Sequence, residues 1–202
     1  MTLSRICFDA AKSGNLKQLQ EAREQGYHWD EFVCAYAADG GYLEILQWAH
    51  ENGCPWNELT CAYAARGGYL EIFQWAIAQG CPIDQHACTF AAKGGHLNML
   101  KWLKQHGCSF GMRECHYAAW EGHLDVIRWL RSQQCPWDER IVKRLFLQYV
   151  HLKNYVAIEW FIINENIEFH NSIVKWIDTV STSLSENQHL PIDLIDLIKT
   201  YI

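Results

Sequence analysis

Apolar positions in the first two-thirds of the chain fall in short clusters at helical spacing, each closed by glycine. Between Cys54 and Gly80, Cys61, Ala62, Ala64 and Ala65 lead into Gly67-Gly68, and Leu70, Ile72, Phe73, Trp75 and Ala76 lead into Gly80. Apolar and polar residues alternate with period two nowhere, so no strand is predicted. Asn57 suits the N-cap of a first helix running to about Arg66, and such a cap is worth ~1 kcal/mol over alanine. Gly67-Gly68 ends that helix, because glycine takes the left-handed C′ conformation without penalty. A second helix starts near Tyr69; Gly80 closes it, and Pro82 keeps it from resuming. Its apolar arc is wider than a single buried face requires, which predicts a helix covered from both sides.

The same reading recurs every 27 residues. Ala10-Ala11, Ala37-Ala38, Ala64-Ala65, Ala91-Ala92 and Ala118-Ala119 keep that spacing, as do Trp48, Trp75, Trp102 and Trp129. Every cysteine stands in one of two columns, Cys7, Cys34, Cys61, Cys88 and Cys115, or Cys54, Cys81, Cys108 and Cys135. Helices of about eight to eleven residues are marginal alone. Their stability must come from stacking, each unit covering the apolar face of the next. The predicted architecture is therefore all-α, an α-solenoid of five units over residues 1–138. A lengthened, divergent unit follows over 139–170, where the Ala-Ala and glycine pairs are lost. A helical cap occupies 171–202.

Composition narrows the function. A formal net charge of -6, with Lys and Arg interleaved among Asp and Glu, offers no basic stripe for nucleic acid. No apolar run approaches the ~18 residues of a membrane helix. The N-terminus lacks the apolar core and cleavage site of a secretory signal, and nine cysteines are an odd number. Together these predict free thiols in a reducing compartment, the cytoplasm by default. A monomer without cofactors is expected.

The stretch Ala91 to Gly107, with its Ala-Ala, Gly-His-Leu and closing glycine, resembles the core of an ankyrin repeat. The likeness covers residues 3 to about 138. The unit is shorter than the usual ~33 residues, and the loss falls where ankyrin units project a β-hairpin. Leu59-Thr-Cys-Ala62 replaces the usual Thr-Pro-Leu-His. The Cys-Pro-Trp loops are similar to a divergent subclass found in large DNA viruses and protists, which implies a host-cytoplasmic location if the chain is viral. The resemblance implies a non-enzymatic scaffold or adaptor that binds a protein on a concave surface lined by the first helices and their following turns.

On that footing the variable columns are the candidate site. After Ala-Ala stand Asp39, Arg66, Lys93 and Trp120, with Glu121 in place of a glycine. Two residues after the caps stand Phe32, Leu59, His86 and Arg113. Trp120 draws most notice, since aromatic and Arg side chains dominate binding hot spots. The tail Leu190-Pro191, with Leu194, Ile195 and Ile198, resembles the opening helix of an F-box. This implies an alternative role, a ubiquitin-ligase substrate receptor that docks on the ligase adaptor; a plain apolar cap needs the same stripe.

Catalysis and metal binding find little support. The glycine pairs follow helices rather than strands, unlike a phosphate loop. Zinc needs its sulfurs within about 4 Å of one another, whereas packed helices stand ~8–10 Å apart, so thiols within a column cannot share a metal. Cys54 and Cys61 could approach one another, but neither Cys-x-x-Cys nor His-x3-His completes a site. No metal, catalytic residue or cofactor is expected; a metal- or thiol-dependent enzyme remains the remotest alternative.

Overall fold

A computed structural model of the chain describes residues 5–136 and the isolated positions 138 and 149. The divergent unit expected over 139–170, Tyr149 apart, lies outside the described residues. So do the cap over 171–202 and the tail residues Leu190, Pro191, Leu194, Ile195 and Ile198. Residues 5–136 fall in one compact unit that ends at Pro136.

Ten helices make up this unit. Five first helices, α1 (Arg5–Lys12), α3 (Glu31–Asp39), α5 (Glu58–Gly67), α7 (Gln85–Gly94) and α9 (Met112–Trp120), alternate with five second helices. The second helices are α2 (Leu16–Glu24), α4 (Leu43–Glu51), α6 (Leu70–Ala78), α8 (Leu97–Gln105) and α10 (Leu124–Ser132). Among these helices none is long and apolar enough to cross a membrane.

The helix starts are written in local chemistry. The side chains of Asp30, Asn57 and Asp84 accept hydrogen bonds from the N–H groups of Phe32, Leu59 and His86 at 3.2, 3.0 and 2.9 Å. Each satisfies a donor that has no partner within its helix. Helix α9 has glycine at this place. Glu114 reaches back instead to the Gly111 N–H at 2.7 Å, and its buried carboxylate also accepts from the Thr89 hydroxyl at 2.6 Å. At the other end of α5, Gly68 turns left-handed (φ 77°), as a C′ residue should.

Packing follows from side-chain size. Each first helix buries its cysteine and Ala-Ala pair, and alanine lets neighbouring first helices approach closely in one row. Behind them Leu19, Leu46, Phe73, Leu100 and Ile127 form a fully buried spine at the repeat spacing. Each such side chain contributes roughly 2 kcal/mol on leaving water. Neighbouring second helices touch far less than neighbouring first helices. A row held more tightly than the one behind it lies on the inside of a curve, so the first helices form the inner face of this unit.

The second helices are not covered on both sides, contrary to the width of their apolar arc. In α6 only Ile72, Phe73 and Ala76 are buried, and the tryptophans at 48, 75, 102 and 129 are half-buried. These rings serve instead in stacks that bridge successive second helices. Trp29, in the loop before α3, sits under the Arg23 guanidinium at 4.1 Å and meets Trp48 edge-on at 5.7 Å. Trp56 stacks on His50 at 3.9 Å and meets Trp75 at 5.9 Å. Phe110 lies under Lys104 at 5.6 Å and meets Trp129 at 5.4 Å. The loop rings thus wedge between second helices that otherwise stand apart.

Candidate protein-binding face

The inner face presents a ladder of rings that the variable columns did not reveal. Tyr36, Tyr63, Phe90 and Tyr117 stand at the repeat spacing, each immediately before an Ala-Ala pair. Phe8 and Tyr36 meet edge-on at 4.6 Å, Tyr36 and Tyr63 at 5.3 Å, and Tyr63 and Phe90 are tilted at 5.5 Å. Burial pushes the Tyr63 phenol above its ordinary pKa, and the neighbouring Tyr36 adds to this. The ring therefore stays uncharged at neutral pH.

Cations from the column after Ala-Ala lie over these rings. Lys12 stands 5.8 Å from the Phe8 centroid and 5.5 Å from that of Tyr36. Arg66 stands 4.2 Å from Tyr63 and 5.9 Å from Phe90, and Lys93 stands 5.9 Å from Tyr117. Such contacts contribute ~0.5–1 kcal/mol at exposed sites. They also hold long side chains in fixed positions, which lowers the entropy a partner's docking would cost.

The predicted residues are thus assembled on one row of helices, but not all as independent contacts. Asp39 and Arg66 are spent on each other: the guanidinium donates to both carboxylate oxygens at 2.8 and 2.6 Å. These two hydrogen bonds raise the Arg66 pKa further. Leu59 is half-buried, whereas Phe32 is exposed. His86 bonds the carboxylate of its own cap residue, Asp84. Arg113 and Glu121 are exposed, and Trp120, 53% exposed, stands 6.0 Å from His116.

The cysteines require one correction. Pairing runs not between Cys54 and Cys61 but between residues twenty apart, joining each first helix after α1 to the loop after its own second helix. Cys34 meets Cys54, Cys61 meets Cys81, and Cys115 meets Cys135. The remaining pair, Cys88 and Cys108, stands at the same twenty-residue step with its sulfurs against each other. The other seven cysteines are free and buried. Hydrogen bonding within each pair pushes Cys61 and Cys115 up and draws Cys81 and Cys135 down. The Sγ atoms of Cys54, Cys81 and Cys135 donate to the carbonyls of Asp30, Asn57 and Gly111 at 3.4, 3.3 and 2.9 Å, tying each loop to the start of its repeat. Among the described residues no three His, Cys, Asp or Glu gather closely enough to hold a metal ion.

A family model for ankyrin repeats matches residues 61–140 in three copies. No curated protein matches the chain. Among solved structures, the crystal structure of the human ASB11 ankyrin repeat domain is similar at a TM-score of 0.49 and 16% identity, covering 64% of this chain and 69% of that one. Helical hairpins repeat at one spacing through α1 to α10, and residues 61–140 of this chain are similar to ankyrin repeats.

Proposed function

We propose that the chain is a non-enzymatic scaffold whose inner face binds a protein partner, with its energetic centre on α7 and α9. Ankyrin repeats are a protein–protein interaction module, and the ring ladder with cations laid across it is the observation that carries this reading. Large rigid rings and held cations are the side chains that supply hot spots. The charge along the row points to the partner's chemistry. Beyond the Asp39–Arg66 pair, helices α3 and α5 carry Glu31 and Glu58, whereas α7 and α9 carry exposed His86, Arg113 and His116 and half-buried Lys93. An acidic segment of the partner over α7 and α9 fits this gradient, with Trp120 as its apolar anchor and Glu121 at the rim.

The test compares recovery of partners by the wild type and by a Lys93→Glu/Arg113→Glu double variant. Lys17→Glu/Lys101→Glu, on the second helices, controls for net charge. Recovery is expected to fall at least about tenfold in the first variant, from reversal of two charges in one interface, and to hold in the second. Equal recovery by both would move the site off this face. A ubiquitin-ligase receptor role rests on Leu190, Pro191, Leu194, Ile195 and Ile198 alone, and the inner face does not depend on it.

A further inference from the structure

Three of the four ring stacks between second helices are complete, and the third in chain order is not. Its places are held by Ile77, Ile83 and Trp102, where the sister stacks have Arg23, Trp29 and Trp48, or His50, Trp56 and Trp75, or Lys104, Phe110 and Trp129. Both the loop ring and the cation over it are replaced by isoleucine. A cleft of about 380 Å³ opens there, lined mainly by Ile77, Ile83, Trp102, Leu103 and His106, with Asp84, Cys88 and Cys108 also in its wall. Ile83 is 48% exposed, whereas Trp29 at the equivalent place is 6% exposed. Trp102, lacking a loop ring to meet, has His106 stacked on it at 3.6 Å.

We propose that this cleft receives an uncharged aromatic side chain of a protein partner, in the place where the sister repeats seat their own Trp29, Trp56 and Phe110. The shape argument is internal to the chain: the same backbone positions close over a ring three times. Charge selects the kind of ring. Each sister slot sets a cation or an imidazole from the preceding helix against its ring, and here Ile77 takes that place; with Asp84 in an otherwise mostly apolar lining, an anionic side chain would lose its hydration uncompensated. The Trp102 ring and the sulfurs of Cys88 and Cys108 are favourable neighbours for an aromatic ring. An exposed apolar residue in a cleft, unlike one scattered on a surface, marks a binding place. The cleft lies among the second helices and loops, so it does not rest on the inner-face reading.

The probe is N-acetyl-tryptophanamide titrated into the full chain, followed by the methyl signals of Ile77, Ile83 and Leu103. Saturating shifts with a Kd on the order of 1 mM are expected, a reasonable strength for one ring, and N-acetyl-alaninamide should bind at least about tenfold more weakly. Ile83→Trp restores the sister residue; it should weaken the probe at least about tenfold and leave Tm unchanged or higher. Ile77→Asp, on a half-exposed position, gives the same loss by placing a charge in the slot and serves if Ile83→Trp does not fold. Absence of saturation in the wild type overturns the proposal, including where a ring of this chain already fills the cleft. Equal binding by wild type and both variants overturns it too, as does equal binding of the alanine probe.

Discussion

Replacing Phe73 by alanine is expected to cost about 3–5 kcal/mol, the range for emptying a buried phenylalanine site. Phe73 is fully buried in α6, the second helix of the central repeat, and its ring meets Trp102 of α8 edge-on at 5.5 Å. Its place in the spine is held by Leu46 before and Leu100 after. A stack in which each repeat contacts only its neighbours has no detour around a hollow central unit. The loss should therefore uncouple the two ends as well as lower the midpoint. Urea unfolding followed by circular dichroism should show a lower midpoint and a broadened or two-step transition. Phe73→Leu, which installs the residue of the adjacent repeats, should cost less than about 1.5 kcal/mol. A loss below about 1 kcal/mol for the alanine variant would mean that the spine is not what holds the repeats.

Gly94→Ala is the second large effect, and it separates two roles that glycine plays here. The backbone of Gly94 stays out of the left-handed region, so conformational freedom is not its purpose. A Cβ there would strike the carbonyl oxygen of Arg66 on the neighbouring first helix and the ring of His96. Two backbones would have to part, and overpacking of this kind costs about 1–3 kcal/mol; contact with backbone rather than a movable side-chain tip puts it at the upper end. Gly80 is the opposite case. Its φ is 85°, yet a Cβ would meet nothing within 4 Å, so Gly80→Ala should cost only the left-handed penalty, about 1 kcal/mol. Thermal or chemical unfolding should rank Gly94→Ala well below Gly80→Ala in stability. The reverse order would place the inter-repeat contact elsewhere.

These effects trace back to what the residue columns did and did not disclose. Caps and glycines act on their own neighbours, so α5 ends at Gly67 and α6 begins at Leu70, within a residue of the reading from sequence. The Asp39–Arg66 pair was read as two separate partner contacts, although residues 27 apart face each other across adjacent helices and opposite charges in successive copies of one column are that pair's signature. The ring ladder was missed for a different reason. Tyr36, Tyr63, Phe90 and Tyr117 scarcely change in chemistry, and attention to variable columns passes over a column whose function lies in its constancy. Thiol pairing depends on how each hairpin closes, which no local rule specifies, so the twenty-residue step between Cys61 and Cys81 emerged only in three dimensions. The width of the apolar arc in α6 misled because Trp75 serves a loop ring and not the spine.

The most direct test of the inner face is amide hydrogen exchange of the chain with and without a captured partner. Protection should rise in segments 85–94 and 112–121, on α7 and α9, and stay unchanged in 97–105 on α8 behind them. Protection confined to the second helices, with the first-helix segments exchanging as in the free chain, would contradict the account.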